Sequence, residues 1–263
     1  MHKKELVLSS IHLGRKVNVT LILPPHYSFS FRHYPVLYLN DGQDLPSLRM
    51  EETLHALFTE QNLRPFIVVG IHANEQRIQE YGTANQADYA GRGSKAGHFT
   101  HFVLDELKPY IERHYRAKPQ AQHNFYAGFS LGGLSALDIV WHHGDVFSKV
   151  GVFSGSLWWR SRALDQGYNE ATDRIMHALV RETPDKPAIK FWFQTGTEDE
   201  VSDRNNNGII DSIDDTIGLI EELKIKGYRL NEDIVYREVE GGRHDQTTWG
   251  RVMGEFLEWT FKE

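Results

Sequence analysis

The chain has 263 residues, 40% of them hydrophobic, with 36 acidic side chains against 29 basic ones and no cysteine. That size buries a substantial core. A net charge of -7 with scattered Lys and Arg argues against a nucleic-acid partner, and zero cysteines exclude disulfides, thiol catalysis and thiolate zinc sites. No apolar run approaches the ~20 residues that a membrane span needs. The start, Met1-His2-Lys3-Lys4-Glu5-Leu6, is basic without a following apolar stretch, so no signal peptide is expected and a cytoplasmic location is favoured.

Taken in order, Glu5–Ile11 and Lys16–Leu23 read as two strands joined by a hairpin turn at Leu13-Gly14-Arg15, and Pro24-Pro25 ends the second. Pro35–Leu39 is a continuous apolar run, the pattern of a strand buried on both faces of a parallel sheet. It stops at Asn40-Asp41-Gly42-Gln43. Met50, Leu54, Leu57 and Phe58 recur at helical spacing, and Phe66–Ile71 gives another buried strand. The polar segment 74–97 is long for a loop, and such loops usually serve function. Phe99, Phe102, Val103, Leu107, Tyr110, Ile111 and Tyr115 form an amphipathic helical stripe, with a kink expected at Pro109.

A short strand then runs through Asn124-Phe125-Tyr126-Ala127 into Gly128-Phe129-Ser130-Leu131-Gly132, and a helix follows from Leu131. This is the G-x-S-x-G nucleophile elbow, in which a serine sits on a tight strand-to-helix turn with its hydroxyl pushed clear of the sheet. Residues two positions either side must lack bulk for strand and helix to close, and Gly128 and Gly132 meet that need. Further strands are expected at Lys149–Phe153, Ile189–Gln194 and Ile234–Val239, with a polar, partly helical excursion from Ser154 to Pro187. Helices are expected over Thr216–Lys226 and along Trp249, Val252, Met253, Phe256, Leu257 and Thr260. Strands alternating with helices imply a mostly parallel sheet of about eight strands with an N-terminal antiparallel hairpin and helices on both faces, the α/β-hydrolase fold, as one domain over 1–263.

Function in such sheets gathers at the carboxyl ends of the strands. Ser130 needs a base, and the base needs a carboxylate to fix its tautomer. His244 follows one predicted strand and Asp199 another, giving the chain order Ser, Asp, His; Glu198 is the reserve for the acid. The oxyanion hole is expected from the backbone amides of Leu131 and Gln43, the latter in the loop after Leu39.

The segments Tyr38-Leu39-Asn40-Asp41-Gly42-Gln43, Gly128–Leu134, Ser154-Gly155-Ser156-Leu157-Trp158-Trp159 and Gly241-Gly242-Arg243-His244 resemble the esterase D superfamily, most closely its enterochelin-esterase-like branch. The likeness extends from about Lys4 to the C-terminus. It implies carboxylic-ester hydrolysis through Ser130, Asp199 and His244. It also implies a substrate cleft near Arg77 and the Trp158-Trp159 corner. The Gly-His-Gly that usually follows the elbow in the superfamily's S-formylglutathione hydrolases is absent.

A second motif is independent of the first. The segment from Asp203 to Asp214 fits the twelve-residue calcium-loop pattern, with Asp203, Asn205, Asn207, Asp211 and Asp214 offering side-chain oxygens and Ile209 its carbonyl. Gly208 stands at the sharp turn, and Asp214 replaces the usual glutamate. The expectation is one structural calcium ion and no organic cofactor, with a small-molecule ester as partner, no nucleic acid, no membrane, and a monomer or homodimer. The competing reading is a calcium-stabilised binding module on the hydrolase fold without catalysis.

Overall fold

The computed structural model describes residues 1–60 and 63–262. Eight strands form one sheet in the order β1-β2-β4-β3-β5-β6-β7-β8. They are β1 (His2–Ser10), β2 (Arg15–Leu23), β3 (Val36–Asn40), β4 (Ile67–Ile71), β5 (Asn124–Phe129), β6 (Lys149–Phe153), β7 (Lys190–Glu198) and β8 (Ile234–Arg243). The hairpin pairs β1 antiparallel to β2, and β2 pairs antiparallel to β4. All other neighbours are parallel. The helices are α1 (Met50–Thr59), α2 (Arg77–Glu80), α3 (Ala96–His101), α4 (Lys108–His114), α5 (Leu131–His142), α6 (Glu170–Asp173), α7 (Ile175–Glu182), α8 (Asp211–Ile225) and α9 (Gln246–Phe261). This is the α/β-hydrolase architecture that the alternating pattern implied.

The central strands β3, β4 and β5 are buried along their whole length, as their unbroken apolar runs require. Side chains on one face pack with Phe99, Phe102, Leu137 and Leu219 from α3 to α8, and those on the other with Leu54 and Leu57 of α1 and Met253, Phe256 and Leu257 of α9. The outer strand β1 is mostly exposed and carries Lys3, Lys4 and Glu5, charges that discourage edge-to-edge association. Among the described residues no helix is long and apolar enough to cross a membrane.

Several segments differ from the sequence reading. β7 runs on to Glu198 and β8 to Arg243 past their apolar stretches, because a backbone ladder needs no apolar side chains at a sheet edge. The pairing shifts register between Gly196 and Glu198, where Gly242 crosses so closely that a Cβ on Gly196 would lie 2.3 Å from the Gly242 oxygen. α8 begins at Asp211 rather than Thr216, its first turn carrying Asp211 and Asp214 against the positive end of the helix dipole. Ahead of Pro109 the irregularity comes earlier than a kink at the proline. Residues Phe102–Leu107 are wound as a π-helix, and Pro109 sits in the first turn of α4. Pro109 has no amide N–H to donate to the Asp105 carbonyl four residues back, and its ring crowds that oxygen; the wider turns accommodate the mismatch.

Candidate active site

The turn from β5 to α5 is closed to the limit of contact. A Cβ on Gly128 would lie 2.2 Å from the Gly132 oxygen, and one on Gly132 would lie 2.6 Å from Asp41 Oδ2. Ser130, between them, is held at φ 53°, ψ -125°, a backbone conformation that costs a non-glycine residue on the order of 1–3 kcal/mol. Its amide donates to the Phe153 carbonyl at the end of β6 (2.8 Å). Leu131, next in line, is the first residue of α5, so its amide has no carbonyl a turn earlier to take it.

Ser130, Asp199 and His244 line one cavity of about 260 Å³, together with Ser154, Gly155, Ser156, Trp158, Glu200 and Ser212. Each comes from the carboxyl end of a strand: Ser130 from β5, Ser154 and Ser156 from β6, Asp199 from β7, His244 from β8. The Ser130 hydroxyl lies 3.4 Å from the Ser156 hydroxyl, and among the described residues no hydrogen bond joins it to His244. Asp199 Oδ2 accepts the Gly196 amide (3.0 Å), while Oδ1 is buried without a hydrogen-bond partner. Glu198 instead faces out and pairs with Arg243 (3.1 Å).

Burial sets the electrostatics. It pushes the Asp199 carboxyl above the usual carboxylate range, against the pull of the Gly196 amide, the Ser154 hydroxyl and His244. It also holds the His244 imidazole below its ordinary value, opposed by Asp199 and helped by the Arg77 charge. That shift favours the neutral imidazole, the form able to accept a proton. Trp249 of α9 fixes it from behind: the two rings meet edge to face at 5.3 Å. The Trp249 indole N–H donates to Ser154 Oγ (2.9 Å), and Ser154 itself is held at φ 43°.

The loop after β3 approaches from the other side. Asn40 donates from Nδ2 to the Gly132 carbonyl (2.8 Å) and accepts from the Tyr126 hydroxyl (2.9 Å), tying this loop to the elbow helix. Gln43 sits in the 3-10 turn Gly42–Asp44; its side chain donates to Asp41 Oδ1 (3.3 Å) and accepts the Ala73 amide (3.0 Å). Gln246, at the start of α9, donates to Asp44 Oδ2 (3.1 Å), so the loop and the His244 segment are also joined.

Arg77 forms a bidentate pair with buried Asp41 (2.7 and 2.9 Å) and also reaches the Phe129 carbonyl (3.3 Å), which braces the wall beside Ser130. The two tryptophans part company. Trp158 lines the cavity, whereas Trp159 is 1% exposed, its ring lodged against Gly82 and Gly93 in the core. Ser154, Ser156, Glu200 and Ser212 were not singled out from the sequence. The first two lie in the Ser-Gly-Ser-Leu-Trp-Trp stretch at a strand end, where the carboxyl-end rule points to them.

The family described as Putative esterase matches residues 10–259. The chain belongs to that family. It is accordingly a carboxylic-ester hydrolase. The chain is 25% identical over 257 residues to the uncharacterized protein YbbA of Bacillus subtilis, across 96% of this chain and 95% of that protein. It is 26% identical over 240 residues to an endo-1,4-beta-xylanase/feruloyl esterase of Xylanibacter ruminicola, covering 87% of this chain but only 26% of the larger protein. Among solved structures, a ferulic acid esterase superposes with a TM-score of 0.76 at 19% identity, over 99% of this chain and 97% of that one, a likeness of fold.

The acidic loop is built on itself. Asp203 accepts the amides of Asn207 (3.1 Å) and Gly208 (2.9 Å), and Gly208 takes φ 85° at the turn. Asp214 accepts from the side-chain amides of Asn205 (2.9 Å) and Asn207 (3.3 Å). Asp211 turns away from them, to the Arg204 amide (2.9 Å) and guanidinium (3.2 Å). Arg204 is in turn clamped by Asp215 and Glu170.

Proposed function

We propose that the chain hydrolyses esters through an acyl-enzyme on Ser130. His244 takes the Ser130 proton as the hydroxyl oxygen attacks the ester carbonyl, and Asp199 orients the imidazole and stabilises its charged form. The carbonyl oxygen, now an anion, is held by the amides of Leu131 and Gln43. His244 returns its proton to the departing alcohol, activates a water, and the acid leaves. The observation that carries this reading is the convergence of Ser130, Asp199 and His244 on one cavity from three strand ends. In a structure without substrate, catalytic hydrogen bonds are often long and tighten only when the ester binds.

The acyl group is small or aromatic. A cavity of about 260 Å³ walled by Trp158 suits one ring or a short chain. The feruloyl esterase among the relatives supports an aromatic acid in that place. Ser130→Ala should abolish both turnover of p-nitrophenyl acetate and labelling by a fluorophosphonate. Retained turnover would sink the triad. A panel of acetyl, feruloyl and 2,3-dihydroxybenzoyl esters then ranks the acyl groups, and a wild-type chain that no fluorophosphonate labels would favour a binding module.

The loop from Asp203 to Asp214 would hold one calcium ion. Asp203, Asn205, Asn207 and Asp214 lie together and fit the ion once the two asparagines present their oxygens, with the Ile209 carbonyl beside them; Asp211, held by Arg204, joins the set only by turning from that partner. Such an ion supplies rigidity, not chemistry. The loop is closed by the Asp211 amide on the Ser202 carbonyl (2.8 Å), just beyond Asp199, and Ser212 in the same turn lines the cavity. Chelation should lower both melting temperature and activity, and calcium should restore them; no change in either would remove the ion from the account.

A further inference from the structure

Away from the cavity, one group of donors serves neither the reaction nor the calcium loop. His12 lies in the turn between β1 and β2, while His101 ends α3 and Asp105 follows one helical turn later in the π-wound segment. His101 Nδ1 lies 2.9 Å from Asp105 Oδ2, and His12 Nε2 lies 3.4 Å from the same oxygen. One donor atom from each residue falls within 4.8 Å of the other two. We propose that His12, His101 and Asp105 bind one transition-metal ion of the zinc type, a site separate from both the catalytic cavity and the acidic loop.

The donor set argues for that ion class. Two imidazole nitrogens with one carboxylate suit zinc and its neighbours, whereas calcium takes oxygen ligands alone. A tetrahedral ion with bonds of about 2.0–2.1 Å holds its donors about 3.3 Å apart. Two of the three separations, 2.9 and 3.4 Å, bracket that spacing, and the third lies within 4.8 Å.

The two rings stack at 5.2 Å with 24° between their planes, and both turn a nitrogen to a single carboxylate oxygen.

The backbone is already set for this. Glu106 Oε1 accepts the amides of Ile11 (2.7 Å) and His12 (3.3 Å), and the Leu13 amide donates to Ser10 Oγ (3.0 Å). The hairpin turn is therefore pinned to the helix before any ion arrives, and little ordering remains to oppose binding. Three protein ligands leave a position for water. The ion would fasten the outer hairpin of the sheet to the helix that covers it, residues about ninety positions apart in the chain.

The test uses the full chain stripped of metal and titrated with zinc chloride by calorimetry, with melting temperature as a second readout. Zinc should bind at one ion per chain at these residues and raise the melting temperature. His12→Ala and Asp105→Asn should each weaken that binding at least tenfold and abolish the thermal shift. Asp105→Asn preserves shape on an exposed helix position, so it stays informative if His12→Ala disturbs the turn. Excess calcium should not compete. Zinc affinity and thermal shift unchanged in both variants, or no stoichiometric binding to the wild type, would overturn the assignment.

Discussion

Gly128→Ala tests the closure of the elbow directly. A Cβ at position 128 would meet the Gly132 carbonyl oxygen at 2.2 Å, whereas ordinary contact begins at 3.4 Å. β5 and α5 must therefore part by about 1.2 Å along that line, the difference between those two distances. The obstacle is backbone, so no side-chain rotation relieves it. Overpacking of this kind costs ~1–3 kcal/mol, or a few to about 10 °C in melting temperature for a chain of this size. Ser130 rides on the moving turn, and a misplacement of about 1 Å can cost ~100-fold in kcat/KM. The matched control is Gly254→Ala in α9, where the nearest atom to a new Cβ is Thr53 Cγ2 at 3.7 Å. That change should leave activity intact and stabilise by ~0.5–1 kcal/mol, because alanine is the better helix former. Ester turnover and thermal melts of both variants decide the matter. A Gly128→Ala chain with wild-type turnover and melting temperature would refute the reasoning.

Two further outcomes follow from titrating groups. Burial lowers the His177 pKa from 6.5 to about 3, its Nε2 facing the Asp215 carbonyl at 2.8 Å. The unfolded chain therefore takes up this proton first as pH falls below 6.5, and stability is lost progressively down to about 3, by ~2 kcal/mol at pH 5. His177→Gln should flatten denaturant-derived stability against pH in that window; parallel curves would show that His177 does not set it. For His244, the lowered pKa places the acidic limb of kcat/KM below the ordinary histidine value, and Asp199→Asn should move it lower by removing the carboxylate that opposes the shift. An acidic limb that Asp199→Asn leaves unmoved would separate Asp199 from the titrating group.

What could be read from the residues was whatever side-chain pattern alone dictates. The runs 35–39 and 66–71 had to be buried strands, and Gly-Phe-Ser-Leu-Gly had to turn sharply. The ends of β7 and β8 were hidden, because Thr197-Glu198 and Gly241-Gly242 have loop composition, yet past a register shift Glu198 pairs with Arg243. Adjacent tryptophans carry no signal of which faces the cavity. That depends on Gly82 and Gly93, some seventy residues upstream, which leave room for Trp159 alone. The Asp41–Arg77 pair was equally invisible, since its partners are 36 residues apart and meet only when β3 and α2 flank the elbow. Local periodicity reports on local structure, and a site assembled from five strand ends is not local.

The bonds that Asn40 makes have a consequence for how the site tolerates heat. Its side chain spans from the end of β3 to the first turn of α5, with the Tyr126 hydroxyl holding its far oxygen. The two amides proposed for the oxyanion, at Gln43 and Leu131, stand near the two ends of this bridge, so an Asn40→Ala chain should lose ester turnover at a lower temperature than the wild type.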